Sequence, residues 1–229
     1  GSVVTFDDGE DATAILSGFT VQNGQADNGG GIFIEYYSNV TISNCIIQNN
    51  ESANEGGGLY SVESNIVANN LLVSNNESET GAGIYISQSN YEIDVITVNN
   101  NSSTQESAGI YIAESNGSIS NATISNNISD YGGELFIGLG VAQITNCIVY
   151  GSNYTEEGPI FSENISDLDI SFSNIQGGWE GEGNIDANPL FCNPDSGDYT
   201  LAENSPCVGT GEDGANMGAF GVGCGIQVD

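Results

Sequence analysis

The chain has 229 residues, with 31 Asp and Glu and no Lys, Arg or His, for a formal net charge of −31. This inventory excludes an imidazole base, an amine nucleophile, a guanidinium clamp for phosphate and a histidine metal ligand. The charge argues against nucleic acid and anionic membranes as partners, and each carboxylate must sit in water, accept hydrogen bonds or hold an external cation.

The chain opens Gly1-Ser2-Val3-Val4, with no Met and no basic-then-apolar leader. It reads as an internal piece of a longer exported precursor, with a signal peptide and an anchor or sorting domain elsewhere. No apolar run reaches the length of a membrane span, so direct membrane insertion is not expected. A two-part phrase then repeats. Its first part is Gly29-Gly30-Gly31-Ile32-Phe33-Ile34, followed by Gly56-Gly57-Gly58-Leu59-Tyr60-Ser61 and Gly81-Ala82-Gly83-Ile84-Tyr85-Ile86. Ser107-Ala108-Gly109-Ile110-Tyr111-Ile112, Gly132-Gly133-Glu134-Leu135-Phe136-Ile137 and Gly158-Pro159-Ile160-Phe161-Ser162 complete the series. The first apolar residue recurs at steps of 27, 25, 26, 25 and 25. The second part is Thr41-Ile42-Ser43-Asn44-Cys45-Ile46-Ile47, seen again as Ile119-Ser120-Asn121-Ala122-Thr123-Ile124 and, earlier, around Phe19-Thr20-Val21.

Two short strands and polar turns in each repeat are the mark of a β-solenoid, with residues 1–183 forming about seven coils of about 25 residues. Residues 184–229 depart from the repeat and are expected to close one end of the same domain. Stacking coils about 4.8 Å apart pairs like strands in parallel around one core. Alternation points Ile32, Ile34, Cys45 and Ile47 inward and Phe33 and Ile46 outward. Asn44, Asn70, Asp94, Asn121 and Asn146 are expected to stack at one turn position as an amide ladder.

The Gly-Gly-Gly-Ile-Phe and Thr-Ile-Ser-Asn-Cys phrases resemble the right-handed parallel β-helix repeats of bacterial secreted and cell-surface proteins, a pectate-lyase-like architecture. The later segments Asn184-Ile185-Asp186-Ala187-Asn188-Pro189-Leu190-Phe191 and Gly197-Asp198-Tyr199-Thr200-Leu201, with Ser205-Pro206-Cys207, resemble the closing segment of such domains. The resemblance implies an all-β, right-handed parallel β-helix, and its non-enzymatic branch is the closer match.

Five cysteines divide by position. Cys45 and Cys147 share one inward site four coils apart, roughly 19 Å and beyond disulfide reach, so they are small core residues. Cys192, Cys207 and Cys224 lie in the closing segment, where export favours one disulfide. Cys192–Cys224 is the preferred pairing, and spacing does not fix it.

Three external stripes follow. Asp27, Glu55, Glu79, Glu106, Asp130 and Glu157 precede the glycine phrases as an acidic column. At about 5 Å spacing each neighbour costs about 0.8 kcal/mol in water, which suggests bound Ca²⁺, a hard cation for oxygen ligands. Phe33, Tyr60, Tyr85, Tyr111, Phe136 and Phe161 form an outward aromatic ladder that stiffens the sheet or serves as a glycan or docking face. Thr20, Ile46, Leu72, Ile96, Thr123 and Ile148 form an outward apolar row, an interface or a surface covered by another segment. Ten Asn-x-Ser/Thr sequons include Asn39, Asn76, Asn116 and Asn153; outward ones are potential glycan acceptors.

One enzyme class stays open. Glycoside hydrolysis can run on two carboxylates, and Asp167 with Asp169, or Glu180 with Glu182 beside Trp179, are the candidates. The polygalacturonase carboxylate and Gly-His-Gly cluster is absent, and a pectate-lyase base needs the missing arginine or lysine. The expected function is a non-catalytic extracellular structural or adhesive module that self-associates into surface fibres or docks other surface proteins, steadied by calcium. The alternative is a carbohydrate-binding module or a carboxylate-only glycoside hydrolase.

Overall fold

The computed structural model describes residues 1–151, 158–164 and 167–227. It is the expected parallel β-helix, almost free of helix. The repeat builds three strand rows rather than two. The first aligns Val4–Phe6, Ile32–Ile34, Leu59–Val62 and Ile84–Ser87 with the leading halves of Ile110–Ser120 and Leu135–Thr145, then Ile160–Glu163. The second runs from Ala14–Ser17 and Asn39–Ser43 to Asp167–Ser171. The third runs from Thr20–Gln22 and Ile46–Gln48 to Ile148–Val149 and Asn174–Ile175. A short fourth ladder holds Gln25–Asn28, Glu51–Glu55, Glu77–Ser78 and Ser102–Ser103. The second and third strands merge because one left-handed residue bends a continuous strand such as Asn65–Ser74 between the two rows.

Ile32, Ile34, Cys45 and Ile47 lie in the core, and Ile46 is 38% exposed. Alternation therefore places the faces as the sequence implies. The bend column is Gly18, Asn44, Asn70, Val95, Asn121 and Asn146, all at positive φ. Asn is the usual non-glycine choice there because its short polar side chain tolerates the left-handed region. Asp94 is not in this column, because it pairs in register with Asn69 and Ser120. Its carboxylate nevertheless reaches across to accept from Asn121 Nδ2 at 2.7 Å and Ser120 Oγ at 2.7 Å. The same one-residue shift moves Ile96 into the core at 0% exposure and puts Thr97 in the third-row position expected for it.

Residues 184–227 do not simply close an end. Trp179 packs against the last coil of the core, and Ile185 bridges to Asn174. The chain then turns back along the third row. Phe191, Tyr199, Leu201, Cys207 and Met217 form a second core with Ile148. Asn126 Nδ2 donates to Tyr199 Oη at 3.2 Å, and Ala219 N donates to Thr123 Oγ1 at 3.0 Å. Phe220 reaches the surface of Ile46, Leu72 and Thr97. The outward apolar row is thus roofed at one end by the chain's own C-terminal segment, with Thr123 and Ile148 fully buried under it and Thr20 and Ile46 left exposed. Cys192 and Cys224 are disulfide-bonded, with Cα atoms 5.9 Å apart, and tie the outer strands of this cover together.

Candidate functional site: polar ladders, aromatic ladder and scattered carboxylates

A buried amide column lies inside the fold. Asn50 Nδ2 donates to Asn76 Oδ1 at 3.0 Å, Asn76 to Asn101 at 2.9 Å, and Asn101 to Asn127 at 2.8 Å. Each second Nδ2 hydrogen goes to a backbone carbonyl, of Val21, Ile47, Val73 and Val98 in turn. Each Oδ1 also receives the backbone N–H of the preceding rung. Every buried polar atom in the column is thereby paired, as a low-dielectric interior demands. Facing it is a glycine column: a Cβ at Gly58, Gly83 or Gly109 would meet the amide of Asn76, Asn101 or Asn127 at 2.9–3.1 Å. The residue next in register after Gly109 is Glu134, fully buried. Its carboxylate enters the column and accepts from the backbone N–H and Nδ2 of Asn127. This carboxylate was missed in the sequence, although a Glu standing among glycines is a visible anomaly. Asn76, a sequon by sequence, is buried in the column.

The aromatic ladder stacks as expected. Ring centroids of Phe33, Tyr60, Tyr85, Tyr111 and Phe136 follow one another at 5.2, 5.4, 5.0 and 4.5 Å, and Phe161 closes the series at 5.5 Å. The stack shields its own members, so Tyr60 and Phe136 are buried although they point away from the core. Burial raises the phenols of Tyr60, Tyr85 and Tyr111 well above the ordinary tyrosine value, and the Tyr111 phenol is pushed up to about 12. Neighbouring carboxylates, Glu35 and Glu55 at Tyr60 and Glu106 at Tyr111, add to the effect.

The acidic residues do not form one column. Asn28, Glu55 and Thr80 share one position, and the backbone of Thr80 is followed there by Glu106 and then Tyr131. Glu55 and Glu106 are therefore separated by a neutral residue, Thr80, and Asp27, Glu79 and Asp130 lie off that line. Glu157 falls outside the described residues. Three carboxylates accept from amides of a neighbouring coil. Gln25 Nε2 donates to Glu51 at 2.9 Å, Gln105 to Glu79 at 3.0 Å, and Gln88 to Glu114 at 3.0 Å. Of the six expected column members Glu79 is the one that takes part in these bonds, and Glu51 is itself followed in register by a like charge, Glu77.

The candidate catalytic groups lie on exposed surface. Asp167 and Asp169 are exposed on an outer strand, and Glu180 and Glu182 are exposed on the turn beyond Trp179. None of them lines the cleft of about 420 Å³ between the cover and the coils, which runs from Ser125 and Asn126 to Phe191. Among the described residues the soft metal ligands do not converge either, although Cys207 and Met217 share the second core. Cys45 and Cys147 are buried in separate coils, and burial pushes the Cys147 thiol up to about 12. Cys207 accepts a hydrogen bond from Asn174 Nδ2, and Met217, the sole methionine, is fully buried near it.

A family model described as "Periplasmic copper-binding protein (NosD)" matches residues 6–178, and no curated protein matches the chain. This overturns the calcium assignment for Asp27, Glu55, Glu79, Glu106, Asp130 and Glu157. The family's metal is copper, and among the described residues no three His, Cys, Asp or Glu converge on a metal position. The residues do not fit copper either. Copper prefers imidazole, thiolate and thioether, and here histidine is absent while the thiols and the thioether lie in separate or tightly packed surroundings. With the match spanning most of the coils and the cover lying beyond it, the chain belongs to the NosD family of periplasmic copper-binding proteins.

Proposed function

We propose that this chain serves the NosD family's exported setting as a non-catalytic structural module, a stiff β-helix that presents surfaces to partners and neither turns over substrate nor holds copper. The observation that carries the reading is the use made of the ordered polar groups. The buried column from Asn50 to Glu134 joins coil to coil, whereas the carboxylates with the most enzyme-like setting are exposed and do not line the cleft of about 420 Å³. A catalytic pair needs two carboxyls held across one substrate position. A copper site needs convergent soft donors.

The test is direct. Purified protein, saturated with Cu(I) or Cu(II) and desalted, is expected to retain no stoichiometric copper by elemental analysis. It is also expected to release no reducing ends from a panel of neutral and acidic polysaccharides. One equivalent of retained copper, lost in Cys207→Ser, would overturn the metal half of the reading. Hydrolysis lost in Glu180→Gln or Asp167→Asn would overturn the other half.

A further inference from the structure

Departures from a regular repeat are informative, and the aromatic ladder has one. From Phe33 to Phe136 successive rings lie within 14° of parallel, but Phe161 is tilted by 40° against Phe136. The turn beside the ladder changes at the same coil. A Cβ at Gly29, Gly56 or Gly81 would come within 3.0, 2.8 or 3.0 Å of the Cβ of a ladder residue. At the equivalent Gly132 the nearest ladder atoms, on Phe161 and Phe136, are 3.9 and 4.0 Å away. The turn stands off from the ladder there, and the gap is a hollow of about 220 Å³ lined by Glu106, Tyr131, Gly132, Phe136, Phe161 and Glu163. We infer that this hollow binds a small protonated amine, with Glu106 and Glu163 as its counter-charges and Phe136, Phe161 and Tyr131 as its walls.

The lining chemistry selects that class. Its side-chain polar groups are two carboxylates and one phenol, so it offers acceptors and π faces and almost no donors. A saccharide hydroxyl both donates and accepts, and finds acceptors here but, the Tyr131 phenol aside, no side-chain donor. A hard inorganic cation seeks about six to eight oxygens, more than two carboxylates and a phenol supply, and gains little from rings. A protonated amine brings only donors, carries the complementary charge and lays its methylenes on aromatic faces. The chain has no cationic side chain to compete for the hollow, and its charge of −31 concentrates cations at the surface. Glu106 and Glu163 both contribute to raising the neighbouring Tyr111 phenol, after burial, so the potential at this face is negative. The size suits a head group rather than a drug-sized ligand, whose pockets run to about 300–1,000 Å³.

The test uses the intact chain and n-butylammonium chloride as the probe, by calorimetry at about 0.15 M ionic strength so that diffuse attraction is screened. Saturable one-to-one binding is expected. Glu163→Gln is expected to weaken it about tenfold, and Phe161→Leu by a similar factor. Glu163 is exposed, so its variant should fold, and circular dichroism checks both. Glu92→Gln removes the same charge from an exposed site on Asn90–Asn99 and is expected to leave the affinity unchanged. Absence of saturable binding overturns the inference. So does equal weakening by Glu92→Gln, which would mean diffuse attraction. Methyl β-glucoside binding that depends on Phe161, with no amine binding, would replace the amine with a sugar.

Discussion

Asn127 donates its side-chain N–H to the Glu134 carboxylate, and among the described residues that bond is the last in the buried amide column begun at Asn50. Glu134 supplies this acceptor from the facing glycine column. Glu134→Ala leaves the Asn127 backbone N–H and Nδ2 without this acceptor in a dry interior. Each unpaired buried donor costs about 1–3 kcal/mol, so the variant should lose about 2–4 kcal/mol in urea unfolding. Glu134→Gln keeps one acceptor oxygen and should lose less than half as much. An Ala variant as stable as the parent would show that the column does not depend on its last rung.

Tyr91 and Gly117 are paired in register on adjacent coils. The Tyr91 ring is buried in the core, and its hydroxyl has no hydrogen-bond partner among the described residues. A Cβ at Gly117 would meet the Tyr91 carbonyl at 2.0 Å and its ring at 2.7 Å. Tyr91→Phe removes a buried, unpaired hydroxyl and should raise stability by about 1 kcal/mol. Gly117→Ala should lower it by about 1–3 kcal/mol through overpacking. Denaturant midpoints of the two variants are expected to move in opposite directions; movement in the same direction would contradict this account.

Val95 holds the left-handed bend that Gly18, Asn44, Asn70, Asn121 and Asn146 hold in other coils. A β-branched residue pays about 1–2 kcal/mol there. Val95→Asn should therefore stabilise the chain by about 1 kcal/mol, provided that the new amide finds Asn70 and Asn121 as neighbours. Unchanged or reduced stability in urea titration would mean that Val95 packing outweighs its backbone strain.

The same residue explains where sequence reading was accurate and where it slipped. Stacking turns sequence period into spatial columns, so the ring ladder and the inward Ile32, Ile34, Cys45 and Ile47 were legible from spacing alone. Where Val replaced Asn at the bend, the marker of phase was lost, and Asp94 and Ile96 were placed one residue out. The acidic residues recur in alternating steps of 28, 24, 27, 24 and 27. Their average suggests one column, but their alternation puts Glu55 and Glu106 on a line that Asp27, Glu79 and Asp130 miss. The cover beyond Asn184 has no period. Its place on Thr123 and Ile148 is fixed by tertiary contacts that no local pattern encodes.

That cover depends on Cys192–Cys224, which closes a loop of sequence separation 32. A loop of that order contributes about 3–4 kcal/mol in the chain-entropy account. Cys192→Ser with Cys224→Ser should leave the coils folded while freeing the cover to open locally. Trypsin has no site in this chain, so chymotrypsin is the useful probe, with cleavage expected at Phe191, Tyr199 and Phe220 before any core tyrosine. Hydrogen exchange should rise at Thr123 and Ile148 together with the cover. Loss of the whole β-helix on reduction would instead make the cover part of the folding core.

Alkaline pH should unfold the chain through its tyrosines. A phenol is charged when deprotonated, and burial keeps those of Tyr60, Tyr85, Tyr91 and Tyr111 neutral to unusually high pH. The folded state therefore binds these protons more tightly than the unfolded state, whose tyrosines titrate near 10. Their contribution to stability is full below that value and declines as pH rises from about 10 through the folded-state value of about 12 for Tyr111. Phenolate absorbance should accordingly rise in stages, with the late stage coinciding with loss of the β-sheet circular dichroism signal. In concentrated urea the late stage should collapse onto the ordinary tyrosine titration. Tyr111→Phe should push the unfolding midpoint to higher pH, because one fewer buried phenol remains to ionise; a midpoint unmoved by that change would place the alkaline transition elsewhere than in the ladder.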